Sequence, residues 1–164
     1  MAKATDTRLE IERKFLVAAS DFQPPGSGVL IRQAYIAERD FVSVRIRQSG
    51  DDYTLSVKSA IDMQQRHEVE VPVSEADARL LFAHCAAPGA ISKRRYRCDA
   101  GDGLVWEIDV FEGENAGLVV AEIELPSADC AFARPDWLGE EITDDPRYLN
   151  TSLAQHPYTA WTDH

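Results

Sequence analysis

The chain has 164 residues, with 17 Lys and Arg against 28 Asp and Glu and 45% hydrophobic residues. That size suits a single domain over 1–164 that buries roughly two thirds of its unfolded surface, and no run approaches the ~20 apolar residues of a membrane helix. A net charge of −11 argues against nucleic-acid polymers and anionic membranes as partners, because both demand a net basic surface; residues 1–10 contain no apolar secretion core, so the expected location is cytoplasmic.

From the N-terminus onward, most of the chain alternates apolar and polar residues two by two, which is the period of a strand. Eight runs are predicted, over residues 9–17, 29–37, 41–48, 53–59, 66–73, 91–98, 104–112 and 117–125. Turn residues separate them: Ser49-Gly50-Asp51-Asp52, Gly101-Asp102-Gly103 and Gly113-Glu114-Asn115-Ala116-Gly117 all tolerate positive φ or pre-form a turn. Hairpins therefore dominate and the sheet is mainly antiparallel. One segment has the helical period instead. Over residues 75–87, Ala76, Leu80, Ala83 and Ala87 fall on one face, Ser74 is the N-cap with Asp77 three residues on, and Pro88-Gly89 ends the run. Shorter helical pieces are expected after Ser127 and after Arg147.

Other chemistries find little support. Cys85, Cys98 and Cys130 are odd in number and show no CxxC spacing, so they read as buried small apolar residues rather than a disulfide framework or zinc site. His67, His84, His156 and His164 show no HExxH spacing, and His84-Cys85 on the helix reads as packing rather than a dyad. There is no GxxxxGK[ST] loop, and Trp106 at strand spacing reads as core.

Residues two apart on a strand share a face, so the charged face of each run is legible. Glu10 and Glu12 share one, continued by Lys14; Glu68 and Glu70, Glu107 and Asp109, and Glu122 and Glu124 are further acidic pairs. Arg45 and Arg47 share a basic face, Lys93, Arg95 and Arg97 another, and Lys58 lies on the face of Thr54 and Ser56. Like charges two apart are ~6.6 Å from each other, a repulsion of about 0.6 kcal/mol in water and about 2.5 kcal/mol at an effective dielectric near 20. A single pair on a strand is usually a solvated face. Repeated segregated pairs inside a fold need neutralising ligands: divalent cations for the carboxylates and an extended polyanion for the Arg and Lys side chains. A closed eight-stranded barrel would turn both sets inward, with Ile11, Val44, Ile46, Leu55, Val57, Val69, Val71, Trp106, Ile108, Val110 and Ile123 outward under the helices. An ordinary sandwich or barrel with those apolar residues as its core gives the same alternation.

The segment Glu10-Ile11-Glu12-Arg13-Lys14-Phe15-Leu16-Val17 resembles the ExExK signature of the CYTH superfamily, the triphosphate tunnel metalloenzymes. The resemblance continues through Gln33-Ala34-Tyr35, Val44-Arg45-Ile46-Arg47, Leu55-Ser56-Val57-Lys58, Arg66-His67-Glu68-Val69-Glu70, Lys93-Arg94-Arg95-Tyr96, Trp106-Glu107-Ile108-Asp109-Val110-Phe111 and Ala121-Glu122-Ile123-Glu124-Leu125. The segments Trp137-Leu138-Gly139-Glu140-Glu141-Ile142-Thr143 and Arg147-Tyr148-Leu149-Asn150 are similar to the tail of short bacterial members. It implies a mainly β (α+β) fold: a closed eight-stranded antiparallel β-barrel tunnel with a polar, charged interior and a few helices outside. It also implies a small-molecule polyanion, Mg²⁺ or Mn²⁺ as cofactor, and a homodimer, which members often form. Carried over by motif, Glu10, Glu12, Asp109, Glu122 and Glu124 are metal-ligand candidates, with Glu68 and Glu70 for a second metal or the attacking water. Arg45, Arg47, Lys58 and Arg95 are phosphate clamps joined by Lys14 and Lys93, and Tyr35 resembles a position that pairs with the signature Lys near the nucleophile. The expected reaction is hydrolysis of inorganic triphosphate to pyrophosphate and phosphate. Thiamine triphosphatase and class IV adenylyl cyclase are the alternative activities, and a polyphosphate- or nucleotide-binding module the alternative without turnover. Lys93 is the last lysine, so the late-chain Lys of longer thiamine-triphosphate hydrolases has no counterpart.

Overall fold

The computed structural model describes residues 6–18, 20–85 and 90–162. Nine strands follow the chain: β1 (Asp6–Val17), β2 (Val29–Arg39), β3 (Val42–Ser49), β4 (Asp52–Ala60), β5 (Gln65–Pro72), β6 (Ile91–Gly101), β7 (Leu104–Glu112), β8 (Val119–Glu124) and β9 (Leu138–Glu141). Two α-helices accompany them, α1 (Glu75–His84) and α2 (Asn150–Gln155). None of the described helices is long and apolar enough to cross a membrane.

The sheet order is β5-β4-β3-β2-β6-β7-β8-β1, and β5 pairs again with β1, so eight strands close into a ring whose neighbours are all antiparallel. Closure removes the sheet edges and gives every strand an inside and an outside. The hairpin residues act as expected: Gly101, Asp102 and Gly103 all have positive φ, 80°, 52° and 78°, which a β-branched residue there could not adopt without strain.

β9 is the strand that periodicity did not reveal, since four residues are too few to display alternation. Its place follows from the backbone of β1. The Glu12 amide donates to the Gln64 carbonyl beside β5, whereas the Lys14 carbonyl accepts from the Ile142 amide. Residues 12 and 14 present the same edge of β1. The segment around β9 thus takes over that edge where β5 leaves it, and Lys14 N donates to Thr143 Oγ1 at 3.0 Å.

Much of the apolar packing lies outside the ring. Ile11, Phe15, Trp106, Ile108 and Ile123 are buried against Phe132, Trp137 and Leu138 of the segment after β8, with edge-to-face contacts from Trp106 to Phe15, Phe132 and Trp137. Trp106 is core, as expected. The segment after Ser127 forms turns and irregular backbone rather than a helix, with Pro126 and Pro135 limiting regular structure. The piece after Arg147 is helical and begins at Asn150.

Two expectations about the outer layer need correction. Helix α1 is capped by Ser74, whose Oγ accepts from the Asp77 amide at 3.1 Å, but it packs through Ala78, Leu81, Phe82 and Cys85 against Ala34 and Ile46. Ala76, Leu80 and Ala83 face solvent; Leu81 and Phe82 bury more apolar area than an alanine face can. Ala87, Pro88 and Gly89 lie outside the described residues. Helices also do not cover the whole outer wall. α1 packs on β2, β3 and β4, leaving Val57 38% and Val71 43% exposed, because a helix of 10 residues cannot blanket a ring of eight strands. The three cysteines are free and half-buried at the margins of the cores rather than within them; His84 is exposed, and Cys85 packs as expected.

Candidate functional site

Inside the ring is a cavity of about 630 Å³. It is lined at one end by Gly103, Leu104 and Val105 of the β6–β7 hairpin and at the other by Asp40, Phe41, Val42 and Ser43 of the β2–β3 hairpin. Because β2 and β6 are antiparallel neighbours, the hairpins that follow them stand at opposite ends of the barrel. The cavity is therefore a tunnel. Among the described residues its lining carries eight basic and nine acidic side chains, so the interior of a strongly acidic protein is close to electroneutral.

The alternation of each strand brings the candidates together. Glu10, Glu12, Lys14, Tyr35, Arg45, Arg47, Lys58, Glu68, Glu70, Lys93, Arg95, Glu122 and Glu124 all line the cavity. Asp109 does not. It is fully buried on the same face of β7 as Glu107, opposite Arg95, where Oδ2 accepts from Lys93 Nζ at 2.5 Å and both carboxylate oxygens accept from Arg95 at 2.7 Å. This bidentate clasp ties Asp109 to two of the cavity's cations.

The carboxylate side of the wall is formed by β1, β5 and β8. Glu12 faces Glu124 and Lys14 faces Glu122 across β1 and β8, while Glu10 faces Arg66 across β1 and β5. Lys14 Nζ sits 3.0 Å from Glu12 and 2.8 Å from Glu122; Glu10 Oε2 lies 3.0 Å from Lys58 and 2.5 Å from Arg66. Burial raises the Glu10 pKa, but Lys58 and Arg66 outweigh it and hold the group at about 2. Burial likewise raises Glu12 and Glu122, and their cationic neighbours again win and lower both. Lys14 is driven above the ordinary lysine range against its burial by Glu12 and Glu122. These carboxylates are ionised.

The arginine side is different. On β3, Arg45 and Arg47 project inward side by side. Arg47 donates to the Gln33 side-chain oxygen, at 3.3 and 3.4 Å, and burial, Arg45 and Arg95 together depress its pKa to about 10. Arg45 touches Glu68 at 3.5 Å, a contact that Glu68 shares with Lys58 at 3.2 Å. The buried Arg45 Nε has no hydrogen-bond partner among the described residues. Burial, Arg45 and Arg66 lower Lys58 to about 8, and burial lowers Lys93 to about 8 in spite of Asp109. Tyr35 accepts from Gln33 Nε2 at 3.2 Å; burial pushes its phenol up, with Arg45, Arg47 and Lys14 as the opposing charges. The Lys14 ammonium itself is turned to Glu12 and Glu122 rather than to the phenol.

A divalent cation would suit the carboxylates by chemistry, since every charged donor on that side is a hard oxygen. Glu12 Oε1 is buried without an aligned hydrogen bond and is balanced only by the nearby charges of Lys14 and Arg66. Among the described residues, no three acidic, His or Cys side chains converge as a ready-made cage, so binding there requires an exchange of ion pairs. Arg66 and Glu107, both lining the cavity, were not among the candidates. Arg66 was legible, because it shares the inward face of Glu68 and Glu70. Ser56 and Gln33, both fully buried, share the faces of Lys58 and Tyr35, but an uncharged polar side chain draws no notice as part of a charged site.

This arrangement has close relatives. The chain is 45% identical over 151 residues to the inorganic triphosphatase of Acetivibrio thermocellus, covering 91% of this chain and 95% of that one. It is 38% identical over 151 residues to the inorganic triphosphatase of Nitrosomonas europaea, covering 88% and 96%. Among solved structures it is similar to the inorganic triphosphatase NE1496, with a TM-score of 0.64, 35% identity, and 94% and 97% of the two chains covered. A putative adenylate cyclase from Bacillus halodurans, 18% identical with a TM-score of 0.59 over 74% and 82% of the chains, shares the fold. The CYTH domain matches residues 8–158, and the chain belongs to that family.

Proposed function

We propose that this chain, acting as one domain over residues 1–164, hydrolyses inorganic triphosphate to pyrophosphate and phosphate in its tunnel with Mg²⁺ or Mn²⁺. The observation that carries the reading is the pair Arg45 and Arg47, one buried and the other half-buried beside it, with a donor unpartnered among the described residues and Glu68, shared with Lys58, as their carboxylate contact. Buried like charges are costly unless an opposite charge joins them. A polyanion with bidentate oxygens supplies that charge, and guanidinium groups recognise it by geometry as well as by charge. The names of the relatives support the same substrate.

In this reading Arg45, Arg47 and Lys58 bind phosphate oxygens from one wall, and Lys14, Lys93 and Arg95 from the other. Asp109 holds Lys93 and Arg95 in position. Glu10, Glu12, Glu122 and Glu124, with Glu68 and Glu70 from the neighbouring strand β5, would hold the cation, which as a Lewis acid would polarise a phosphoryl oxygen when bound. Phosphoanhydride hydrolysis asks for positioning and charge stabilisation rather than covalent chemistry. The arginines supply it at the equatorial oxygens, and the ring walls off bulk water. Tyr35 and Lys14 stand near the reacting end and orient the attacking water. Acidic side chains beside the anion also favour turnover over simple sequestration, since a binding module gains nothing from them.

A panel of inorganic triphosphate, ATP and thiamine triphosphate, each with Mg²⁺, Mn²⁺ or a chelator, tests the proposal. Expected are fastest turnover of triphosphate, equal release of phosphate and pyrophosphate, and no activity with chelator. Faster turnover of ATP or thiamine triphosphate, or formation of cyclic AMP, would overturn it.

A further inference from the structure

We infer that Arg97 forms an outer subsite for linear inorganic polyphosphates longer than triphosphate, so that the overhanging phosphates leave the tunnel at the β6–β7 end. This rests on the reading of the cavity as a triphosphate site and adds a direction to it.

Lys93, Arg95 and Arg97 follow one another on the inward face of β6 and all line the cavity. Their accessibility rises steadily: the side chains are 1%, 13% and 69% exposed. Successive members of the row are ~6.6 Å apart along the strand, and a triphosphate, three phosphorus atoms joined by two oxygen bridges, covers about one of those two steps. A triphosphate seated against Lys93 and Arg95 leaves Arg97 unused. A longer chain reaches it.

Arg97 is also poised over the same wall, with Nε 3.6 Å from Glu107, a carboxylate that Arg95 holds as well. Glu107 is thus already neutralised, and Glu124 on the same rim lies opposite Glu12, where the proposed cation would screen it. The other mouth offers no such guide. Its rim is formed by Glu38, Asp40, Phe41, Val42 and Met63, the Arg66 at that end is taken up by Glu10 and Glu12, and nearby Arg39 is turned onto Asp40 at 3.7 Å without lining the cavity. Acidic and apolar groups there repel a polyanion or leave it unsolvated, so the two ends differ in sign of preference.

The test compares triphosphate with a monodisperse linear octaphosphate in the wild type and in Arg97→Gln, Arg97→Lys and Asp40→Asn. Affinity is read as KM where the polyanion is hydrolysed, and as an inhibition constant or a calorimetric Kd where it is not. Arg97→Gln should weaken octaphosphate roughly three- to tenfold, the range of one partly exposed charge-assisted contact, while triphosphate changes by less than about twofold and kcat is retained. Arg97→Lys should recover most of the loss, and Asp40→Asn should leave the ratio of the two affinities unchanged. An equal effect on both polyanions, no effect on either, or a ratio moved by Asp40→Asn would each overturn the subsite. Lack of triphosphate turnover by the wild type counts against the hydrolase reading alone, because the affinity ratio remains measurable without it.

Discussion

The two sides of the tunnel wall treat burial of charge in opposite ways. On β1, β5, β7 and β8 the acids close onto cations: Lys14 between Glu12 and Glu122, Glu10 on Lys58 and Arg66, Asp109 on Lys93 and Arg95. On β3, Arg45 and Arg47 stand beside each other with a glutamine, a shared glutamate and an Arg45 Nε that has no hydrogen-bond partner among the described residues. The first side is neutralised within the fold, and under the proposed function the second is neutralised by the polyanion. On that reading, their difference separates residues that hold the protein together from residues held ready by it.

The sharpest way to break that comparison is to substitute one residue of each kind. Asp109→Asn keeps the shape but removes the charge that balances Lys93 and Arg95, and leaving buried charge uncompensated should cost about 3–5 kcal/mol of stability, measurable by urea denaturation. If Asp109 only served a ligand, stability would hold. Arg45→Met should do the reverse. It removes a buried charge that the fold scarcely compensates, so stability should change by less than about 1 kcal/mol, or rise. Losing charge-assisted contacts worth about 1.5–3 kcal/mol should nevertheless lower kcat/KM for triphosphate by roughly ten- to a hundredfold. A large fall in stability with intact kinetics would reverse the assignment.

Acid titration sharpens the same contrast more gently. Glu10 has its folded pKa lowered from 4.5 to about 2, so it contributes stability above the unfolded pKa that is lost as pH falls from 4.5 towards 2. The unfolded state binds the proton more readily in that window. Urea midpoints followed from pH 5 to pH 2.5 should fall more steeply for the wild type than for Glu10→Gln, by an amount on the order of 1 kcal/mol after allowance for partners that relax. Parallel profiles would mean that Glu10 is not held by Lys58 and Arg66 in solution.

How far the sequence carried this picture depended on the kind of signal. Strands of eight or more residues announced themselves by alternation, and their hairpins by Gly and Asp at positions of positive φ. β9 fell below the length at which a period exists, and α1 turned a different face inward, because the larger side chains at 81 and 82 set its packing. The separation of charge by face pointed to Glu12, Arg45, Lys58 and Glu122. It could not show that Asp109 is fully buried against Lys93 and Arg95 while Glu107, two residues away on the same face, lines the cavity.

By itself the amino-acid order determined which residues share a face, since that follows from the two-residue repeat of any extended strand. Whether that face looks into a tunnel or out to water was decided by closure of β5 onto β1, a contact between residues about sixty positions apart. Local periodicity contains no record of such closure, because a ring and an open sandwich use the same alternation and differ only in which strands meet.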